Sequence, residues 1–180
     1  MPTILVILPE GFEEVEAVTP IDLWRRAGFT VKTAALGETI HVTGRNGITL
    51  HSDTTIANIS MDERFDVVFL PGGPGVKHLR ADPRVRKLIE TQAARPAWLV
   101  AICAAPTVLH DAGLLEGRRY TAHFSVENEL PHIRASERVV VDGPIITSRG
   151  AGTAVDFALE VIRQLANPAE AEKVAVSICA

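Results

Sequence analysis

The sequence predicts an α/β fold in which a mostly parallel sheet carries helices on both faces. Short, continuous apolar runs at residues 4–8 and 65–70 are typical of strands that are buried on both sides of a parallel sheet. Segments with apolar residues at helical spacing separate these runs, and several of the turns are rich in glycine. Alternating strands and helices of this kind indicate a ligand site at the carboxyl ends of the strands.

The composition is that of a globular protein. The 180 residues are 47% hydrophobic and 22% charged, which predicts one domain spanning residues 1–180. The net charge of −4 gives no reason to expect a nucleic acid or an anionic membrane as a partner. No basic leader and no apolar run of about 20 residues is present, so we expect a cytoplasmic protein. In that compartment Cys103 and Cys179 remain thiols.

The first third of the chain predicts a βαβ unit followed by a hairpin. A strand at 4–8 leads to a helix that begins near Glu13 and ends at residues 27–28, and a second strand covers 30–35. Pro20 lies inside this helix and cannot donate to the carbonyl of Glu16, which gives Glu16 an irregular setting near the end of the first strand. Glu13 and Glu14 are interpreted as ordinary exposed acids. Asn-Gly at 46–47 predicts the hairpin between 41–43 and 48–50.

The remaining elements follow from similar signals. We predict a strand at 65–70, a glycine-rich loop at 71–75, a helix from Asp82-Pro83 to about Ala94, a strand at 97–102, a short strand at 120–122, a strand pair at 139–141 and 145–148, a helix opened by residues 149–152 and a final helix after Asn167-Pro168.

Cys103 stands where the apolar run 97–102 stops and a helical pattern begins. Small residues flank it on both sides, as a nucleophile on a strand-to-helix turn requires. Such a turn points the sulfur toward unpaired N–H groups, which favours the thiolate and predicts a lowered pKa. The competing interpretation is that Cys103 is a small buried hydrophobic residue.

Other chemically capable residues are expected at the same edge of the sheet. If the strands are parallel, Glu16, Gly72-Gly73, Cys103 and Arg149-Gly150 lie together there. His123 is either the partner of the cysteine or a structural histidine, and Arg149 binds a carboxylate or pairs with a surface acid. The glycine loop matches neither a P-loop nor a dinucleotide motif, and the histidines lack zinc-site spacing. No cofactor and no metal is therefore expected.

Four stretches, taken together, resemble the ThiJ/PfpI superfamily, in the branch of the parkinsonism-associated protein deglycase and bacterial YajL. These are residues 10–18 (EGFEEVEAV), 66–73 (DVVFLPGG), 101–106 (AICAAP) and 147–153 (TSRGAGT). The resemblance implies a flavodoxin-like three-layer sandwich with a β-hairpin insertion, and a homodimer. It also implies that Cys103 is the reactive thiol and that the Glu16 carboxylic acid is hydrogen-bonded to it.

The same resemblance assigns roles to further residues. His123 would lie near Cys103, and the backbone N–H groups of Gly73 and Ala104 would form an anion hole. Arg26 and Arg45 match basic positions that relatives place near the dimer contact and the site. Ala151 stands where close relatives have proline, which alters the rim of the pocket.

Two activities of the wider superfamily are not expected. Protease-like members carry histidine directly after the cysteine, where this chain has Ala104, and glutamine amidotransferases need a late His-x-Glu that is absent. The resemblance instead implies a cofactor-free, cysteine-dependent enzyme for 2-oxoaldehydes or their early glycation adducts. The alternative is an oxidative-stress sensor or chaperone in which Cys103 becomes a sulfinate.

Overall fold

The computed structural model describes residues 1–60 and 62–180, which form a seven-stranded sheet, a separate two-stranded hairpin and helices on both faces of the sheet. The strands are β1 (Thr3–Leu8), β2 (Thr30–Ala35), β3 (His41–Thr43), β4 (Thr49–His51), β5 (Thr54–Thr55), β6 (Val67–Leu70), β7 (Trp98–Ile102), β8 (Val139–Asp142) and β9 (Ile145–Ser148). The helices are α1 (Glu14–Arg26), α2 (Val76–Ala81), α3 (Pro83–Ala93), α4 (Pro106–Asp111), α5 (Ala154–Leu165) and α6 (Pro168–Ser177).

The main sheet has the flavodoxin-like topology that the sequence predicts. Its strand order is β5-β2-β1-β6-β7-β9-β8, with β8 antiparallel to β9 and the other neighbours parallel. The chain passes from β1 to β2 on one side and then to β6 on the other, so the strand order reverses at β1. Folds of this class bind ligands at the carboxyl ends of strands beside such a reversal. The predicted β3–β4 hairpin is confirmed, with Val42 opposite Leu50.

Two apolar layers hold the helices against the sheet. On one face, α1, α5 and α6 contribute Trp24, Phe157 and Val174 to one buried cluster. The rings of Trp24 and Phe69 meet edge to face at 5.1 Å, and the indole N–H donates to the carbonyl of Ala158 at 3.1 Å. The opposite cluster contains residues of α2, α3 and α4. The strands between these layers are therefore buried on both sides, which explains their continuous apolar sequences.

Side chains close the outer edge of β2. The neighbouring strand β5 is only two residues long and pairs with Ala34 and Ala35. Beyond that pairing, the N–H of Thr33 donates to the Asp53 carboxylate at 2.8 Å, and the Arg25 guanidinium donates to the carbonyl of Val31 at 3.3 Å. Most of this edge is thus covered by charged groups rather than by another strand.

The predicted strand at 120–122 is wrong. The structure has only an isolated bridge there, between Tyr120 and Ile133. The N–H of Thr121 donates to the side-chain hydroxyl of Thr147 at 2.9 Å, and its own hydroxyl donates to the carbonyl of Arg134 at 3.0 Å. Hydrogen bonds to side chains therefore replace a strand ladder. Helix α2 and strand β5 were not predicted, and α1 continues through Pro20.

The helices are short. The longest, α1, has 13 residues. Among the helices that the structure describes, none combines the length and the apolar content needed to cross a membrane.

Candidate active site

Four neighbouring strands bring chemically capable residues to one point. Helix α1 after β1 carries Glu16, and the loops after β6, β7 and β9 begin with residues around Gly72, Cys103 and Gly150. The contacts are close, because a Cβ atom added at Gly72 or at Gly150 would lie near both the Glu16 carboxyl and the Cys103 side chain. The structure therefore brings these four positions together, as the sequence predicts.

Cys103 occupies a strained turn between β7 and α4. Its φ of 66° is in the left-handed region, which residues with a side chain rarely adopt. Neighbouring backbone holds this geometry, since the Cys103 N–H donates to the carbonyl of Ser148 at 2.9 Å and its own carbonyl accepts from the His123 N–H at 2.9 Å. The sulfur is left partly exposed beside the loop after β6.

Glycine is required at position 72 because the side chains of Glu16 and Cys103 occupy the space beside it. A Cβ atom there would lie 3.0 Å from Cys103 Sγ and would collide with Glu16 Oε2. Gly73 is restricted differently. Its φ of 95° favours glycine, and a Cβ atom would lie 2.5 Å from the backbone nitrogen of Glu13. This loop therefore lets Glu16 and Cys103 approach each other without obstruction.

Glu16 is almost completely buried. Its side chain is 2% exposed, and Oε2 has no well-formed hydrogen bond within the described part of the chain. Burial raises the pKa of the Glu16 carboxyl from 4.5 to about 7, and the nearby Glu13 carboxylate adds to this effect. Near neutral pH the carboxyl can therefore both give and accept a proton.

The thiol behaves differently from the sequence-based expectation. Burial, with the negative charge of Glu16 beside it, raises the pKa of the Cys103 thiol from 9.0 to about 12. Hydrogen bonds from the backbone N–H groups of Gly73 and Ala104 lower this pKa but do not outweigh burial. The expected lowering of the thiol pKa by a helix end is wrong in direction for a thiol that faces an ionised Glu16.

The two groups titrate as one unit. They interact strongly, so the first proton leaves the pair near pH 7 and the second near pH 12. Between these values the pair holds one proton, either on the carboxyl with a thiolate or on the thiol with a carboxylate. The N–H groups of Gly73 and Ala104 lower the pKa of the thiol and so increase the share of the thiolate form, although they do not outweigh burial. The arrangement can therefore supply a nucleophile and an acid together.

The family model described as "DJ-1/PfpI family" matches residues 2–164. The chain belongs to the DJ-1/PfpI family. It is 37% identical over 166 residues to Parkinson disease protein 7 homolog of Danio rerio, covering 89% of this chain and 88% of the relative.

Two further members of the DJ-1/PfpI family show how closely the likeness holds. The relative named glutathione-independent glyoxalase DJR-1.2 of Caenorhabditis elegans is 30% identical over 179 residues, covering 98% of this chain and 95% of the relative. The crystal structure of Drosophila melanogaster DJ-1beta superimposes with a TM-score of 0.95 at 36% identity, covering 99% of this chain and 97% of that chain. The resemblance seen in the sequence motifs is thus confirmed for the family and the fold.

His123 lies beside the pair but does not bond to the cysteine side chain. Its Nδ1 accepts the backbone N–H of Ser125 at 3.2 Å and lies 2.8 Å from the Ser125 hydroxyl. Burial, and then the positive charge of Arg149, hold the pKa of the imidazole below its usual 6.5. His123 is therefore a neutral neighbour of Cys103 at pH 7 and not the base of a cysteine–histidine pair.

The three predicted arginines have different positions. Arg149 lines a cavity of about 380 Å³ together with His123 and Gly150. Arg45 lies in the turn between β3 and β4, where it pairs with the Glu13 carboxylate at 3.2 Å. Arg26 is the last residue of α1, about 15 Å along the helix from Glu16, and it pairs with Asp22 at 2.8 Å. Arg26 therefore does not reach the pocket of its own chain, and its place near a dimer contact stays a prediction.

Two features of the site were not recognised in the sequence. Glu14 is buried, and its carboxylate accepts hydrogen bonds from the Asn46 backbone at 2.7 Å and from the Asn46 side chain at 2.9 Å, which ties the hairpin to the start of α1. Ser125 fixes the His123 ring. The Asn-Gly turn predicted the hairpin, but no local signal indicates which acid it binds. In the described residues no cluster of three or more His, Cys, Asp or Glu side chains is arranged to hold a metal.

Proposed function

We propose that this protein is a cysteine-dependent, cofactor-free enzyme that converts 2-oxoaldehydes such as methylglyoxal and glyoxal, or their early glycation adducts, into 2-hydroxy acids. The observation that carries the proposal is the buried Glu16 carboxyl packed beside the Cys103 side chain at Gly72, where the loops after β6 and β7 meet. The name of the nematode relative, a glutathione-independent glyoxalase, supports the same reaction class.

The first step is addition of the thiol to the aldehyde. The Cys103 sulfur attacks the aldehyde carbon, and the C=O electron pair moves to the oxygen. The N–H groups of Gly73 and Ala104 stabilise the charge that develops there, as in an oxyanion hole. The Glu16 carboxyl then protonates this oxygen, which yields a hemithioacetal.

The second step moves a proton between neighbouring carbons. The Glu16 carboxylate removes the proton from the former aldehyde carbon and passes it to the neighbouring ketone oxygen, so that an enediol forms. Glu16 then takes the hydroxyl proton from the sulfur-bearing carbon, which leaves the thioester carbonyl, and delivers it to the adjacent carbon. The product of this step is a thioester, which water cleaves to a 2-hydroxy acid and the free thiol. One carbon is oxidised and its neighbour is reduced, so the sequence consumes only water and needs no external oxidant or reductant.

A product assay with methylglyoxal tests this proposal. Wild type should form lactate, and Cys103→Ser should lose at least about 10³-fold in kcat/KM, as removal of a nucleophile does. Cys179→Ser is the matched control and should stay within about twofold of wild type, since Cys179 lies at the far end of the chain. Equal lactate formation by wild type and Cys103→Ser would refute the proposed mechanism.

An oxidation-sensing role uses the same residues and is the second candidate. Cys103 is partly exposed, and the donors that face its sulfur could bind the oxygens of a sulfinate. Under mild peroxide this role requires two added oxygens on Cys103 before any on Cys179. It also requires wild type to be as inert toward methylglyoxal as Cys103→Ser, so the product assay separates the two candidates.

We also propose that the protein is a homodimer. Val15 and Val18 on α1 and Ile48 on the hairpin are 48%, 42% and 56% exposed, and they lie near each other because the Ile48 N–H donates to Glu14 at 3.4 Å. This is the kind of apolar surface that a second copy would cover. Sedimentation at micromolar concentration should give a dimer, and Val18→Glu should shift it to monomer. A wild-type monomer would exclude this proposal.

A further inference from the structure

Arg149 carries a positive charge that the protein does not neutralise. Its side chain is only partly exposed, yet in residues 1–60 and 62–180 it has neither a hydrogen bond nor an ion pair. Arg138 lines the same cavity and differs sharply. It pairs with the Asp156 carboxylate at 2.6 Å and donates to the carbonyl of Gly152 at 2.6 Å. A half-buried guanidinium without a partner is suited to bind an anion from outside the chain.

The cavity beside Arg149 adjoins the reacting groups at Gly150. It has a volume of about 380 Å³, and Gly150 forms part of its wall. A Cβ atom at Gly150 would lie 3.4 Å from His123 Cδ2, 3.5 Å from Glu16 Oε1 and 4.0 Å from Cys103 Sγ. Gly150, which has no side chain, therefore lies close to all three groups, so a substrate held at Arg149 would be a neighbour of Cys103.

His123 presents a hydrogen-bond donor to this cavity. The backbone N–H of Ser125 can only donate, so the Nδ1 atom that accepts it must carry a lone pair. In the neutral imidazole the proton then lies on Nε2. The ring also stacks on Phe124 at a centroid distance of 4.1 Å, and Phe124 is 72% exposed. One cation, one neutral donor and one apolar ring thus border the same space.

We propose that Arg149 and the Nε2–H group of His123 form a carboxylate subsite beside Cys103, so that the preferred substrates are 2-oxoaldehydes whose carbon chain also carries a carboxylate. The identity of the substrate class rests on the proposed function. One positive charge and one neutral donor match a monoanion better than a doubly charged phosphate. A planar carboxylate also fits the fork of a guanidinium.

Alkylation of Cys103 tests the subsite without any turnover. Iodoacetate and iodoacetamide react alike, since the thiolate attacks the methylene carbon and iodide leaves, but only iodoacetate carries a carboxylate next to that carbon. Both reagents react with the same thiolate, so the ratio of their rate constants does not depend on the fraction of the thiol that is ionised. Cys179 on the same chain is exposed and serves as the internal reference. Peptide mass spectrometry should give a ratio at Cys103 about tenfold above that at Cys179, the factor that one charge-assisted hydrogen bond supports.

Matched variants assign the effect to Arg149. Arg149→Gln should reduce the ratio at Cys103 to that at Cys179, and Arg149→Lys should restore part of it. Arg138→Gln removes the same charge from the same cavity but from a paired side chain, and it should leave the ratio within about twofold, as is usual for paired surface groups. Equal ratios at both cysteines in wild type, or an unchanged ratio in Arg149→Gln, would overturn the subsite.

The substrate class is tested by comparing 4,5-dioxopentanoate, a 2-oxoaldehyde with a carboxylate, with methylglyoxal, which has none. The ratio of their kcat/KM values should fall about tenfold in Arg149→Gln and stay within about twofold in Arg138→Gln. A constant ratio in Arg149→Gln would refute the substrate class. If neither compound is turned over, the proposed function fails, whereas the alkylation ratio still decides whether the carboxylate subsite exists.

Discussion

The two cysteines of this chain share one backbone geometry in two different settings. Cys103 has a φ of 66° and Cys179 a φ of 61°, and among the described residues with a side chain these are the positive values. Cys103 follows the buried strand β7, and Cys179 follows the C-terminal end of α6. The comparison separates the effect of the turn itself from the effect of its neighbours.

The surroundings of Cys179 explain its conformation and give it no reactive partner. Its N–H donates to the carbonyl of Val176 at 3.2 Å, and the N–H of Ala180 donates to the carbonyl of Ala175 at 3.0 Å. These bonds close the helix in the way that left-handed residues commonly do. The backbone at this point is thus hydrogen-bonded, while Cys179 itself is exposed.

Cys103 differs in what faces its sulfur. Glu16 is buried beside it, and the N–H groups of Gly73 and Ala104 are directed at it. The left-handed turn therefore orients a side chain at both sites, but only at Cys103 does it bring the sulfur to an acid and two donors. A strained cysteine is not reactive by itself, and the partner groups decide what it can do.

Glu16 is the neighbour that most distinguishes Cys103 from Cys179, and replacing it should have the largest effect on activity. Glu16→Gln keeps the shape of the side chain but cannot exchange a proton, so turnover of methylglyoxal should fall about 10²- to 10⁴-fold. Glu38→Gln, an exposed acid, is the control and should match wild type. Circular dichroism should show that both variants are folded. Turnover of Glu16→Gln within twofold of wild type would remove Glu16 from the mechanism.

The same substitution should change how stability depends on pH. The folded protein raises the pKa of Glu16 from 4.5 to about 7, so it binds the proton more tightly than the unfolded chain does. This contribution to stability is fully present below pH 4.5 and is lost as the pH rises to about 7. The stability of Glu16→Gln relative to wild type should therefore increase by at most about 3 kcal/mol between pH 4 and pH 8.

Urea unfolding at several pH values measures this difference. Cys179→Ala is the control, and its stability relative to wild type should not change over the same pH range. A constant difference between Glu16→Gln and wild type would mean that burial does not shift the carboxyl.

The pH profile of alkylation should show the smallest effect of the three. Because the Glu16–Cys103 pair loses its first proton near pH 7, the iodoacetamide rate at Cys103 should rise about tenfold between pH 6 and pH 8 and then level off. Labelling of Cys179 in the same samples provides the reference. A Cys103 rate that rises only well above pH 9 would show that the thiol ionises last and shares no proton with Glu16.

The sequence was sufficient to predict that the site residues lie at one edge of the sheet, because the position of each residue depends on a local signal. Apolar runs that end at a glycine pair or at Cys103 mark strands whose carboxyl ends face the same way, and parallel pairing brings those ends together. The Asn-Gly turn at 46–47 likewise predicts the hairpin by its own geometry. These signals need only a few neighbouring residues to be recognised.

Features that depend on distant contacts could not be predicted. The direction of the Cys103 pKa shift depends on how deeply the thiol itself is buried and on the charge of Glu16 beside it, and the length of α1 keeps Arg26 away from the pocket of its own chain. The segment at 120–122 reads as a strand because its residues favour one, but Thr121 bonds to the hydroxyl of Thr147, 26 residues away.

The closed edge of β2 limits how copies of this chain can associate. An open strand edge offers free N–H and C=O groups to another strand and can seed aggregation. Here the Asp53 carboxylate accepts a hydrogen bond from the N–H of Thr33, and Arg25 donates one to the carbonyl of Val31. An added strand would first have to displace these two charged side chains. Growth of a continuous sheet from one molecule to the next is disfavoured on this side. Asp53→Ala, which frees the edge, should accordingly form more thioflavin-positive aggregate on mild heating than wild type does.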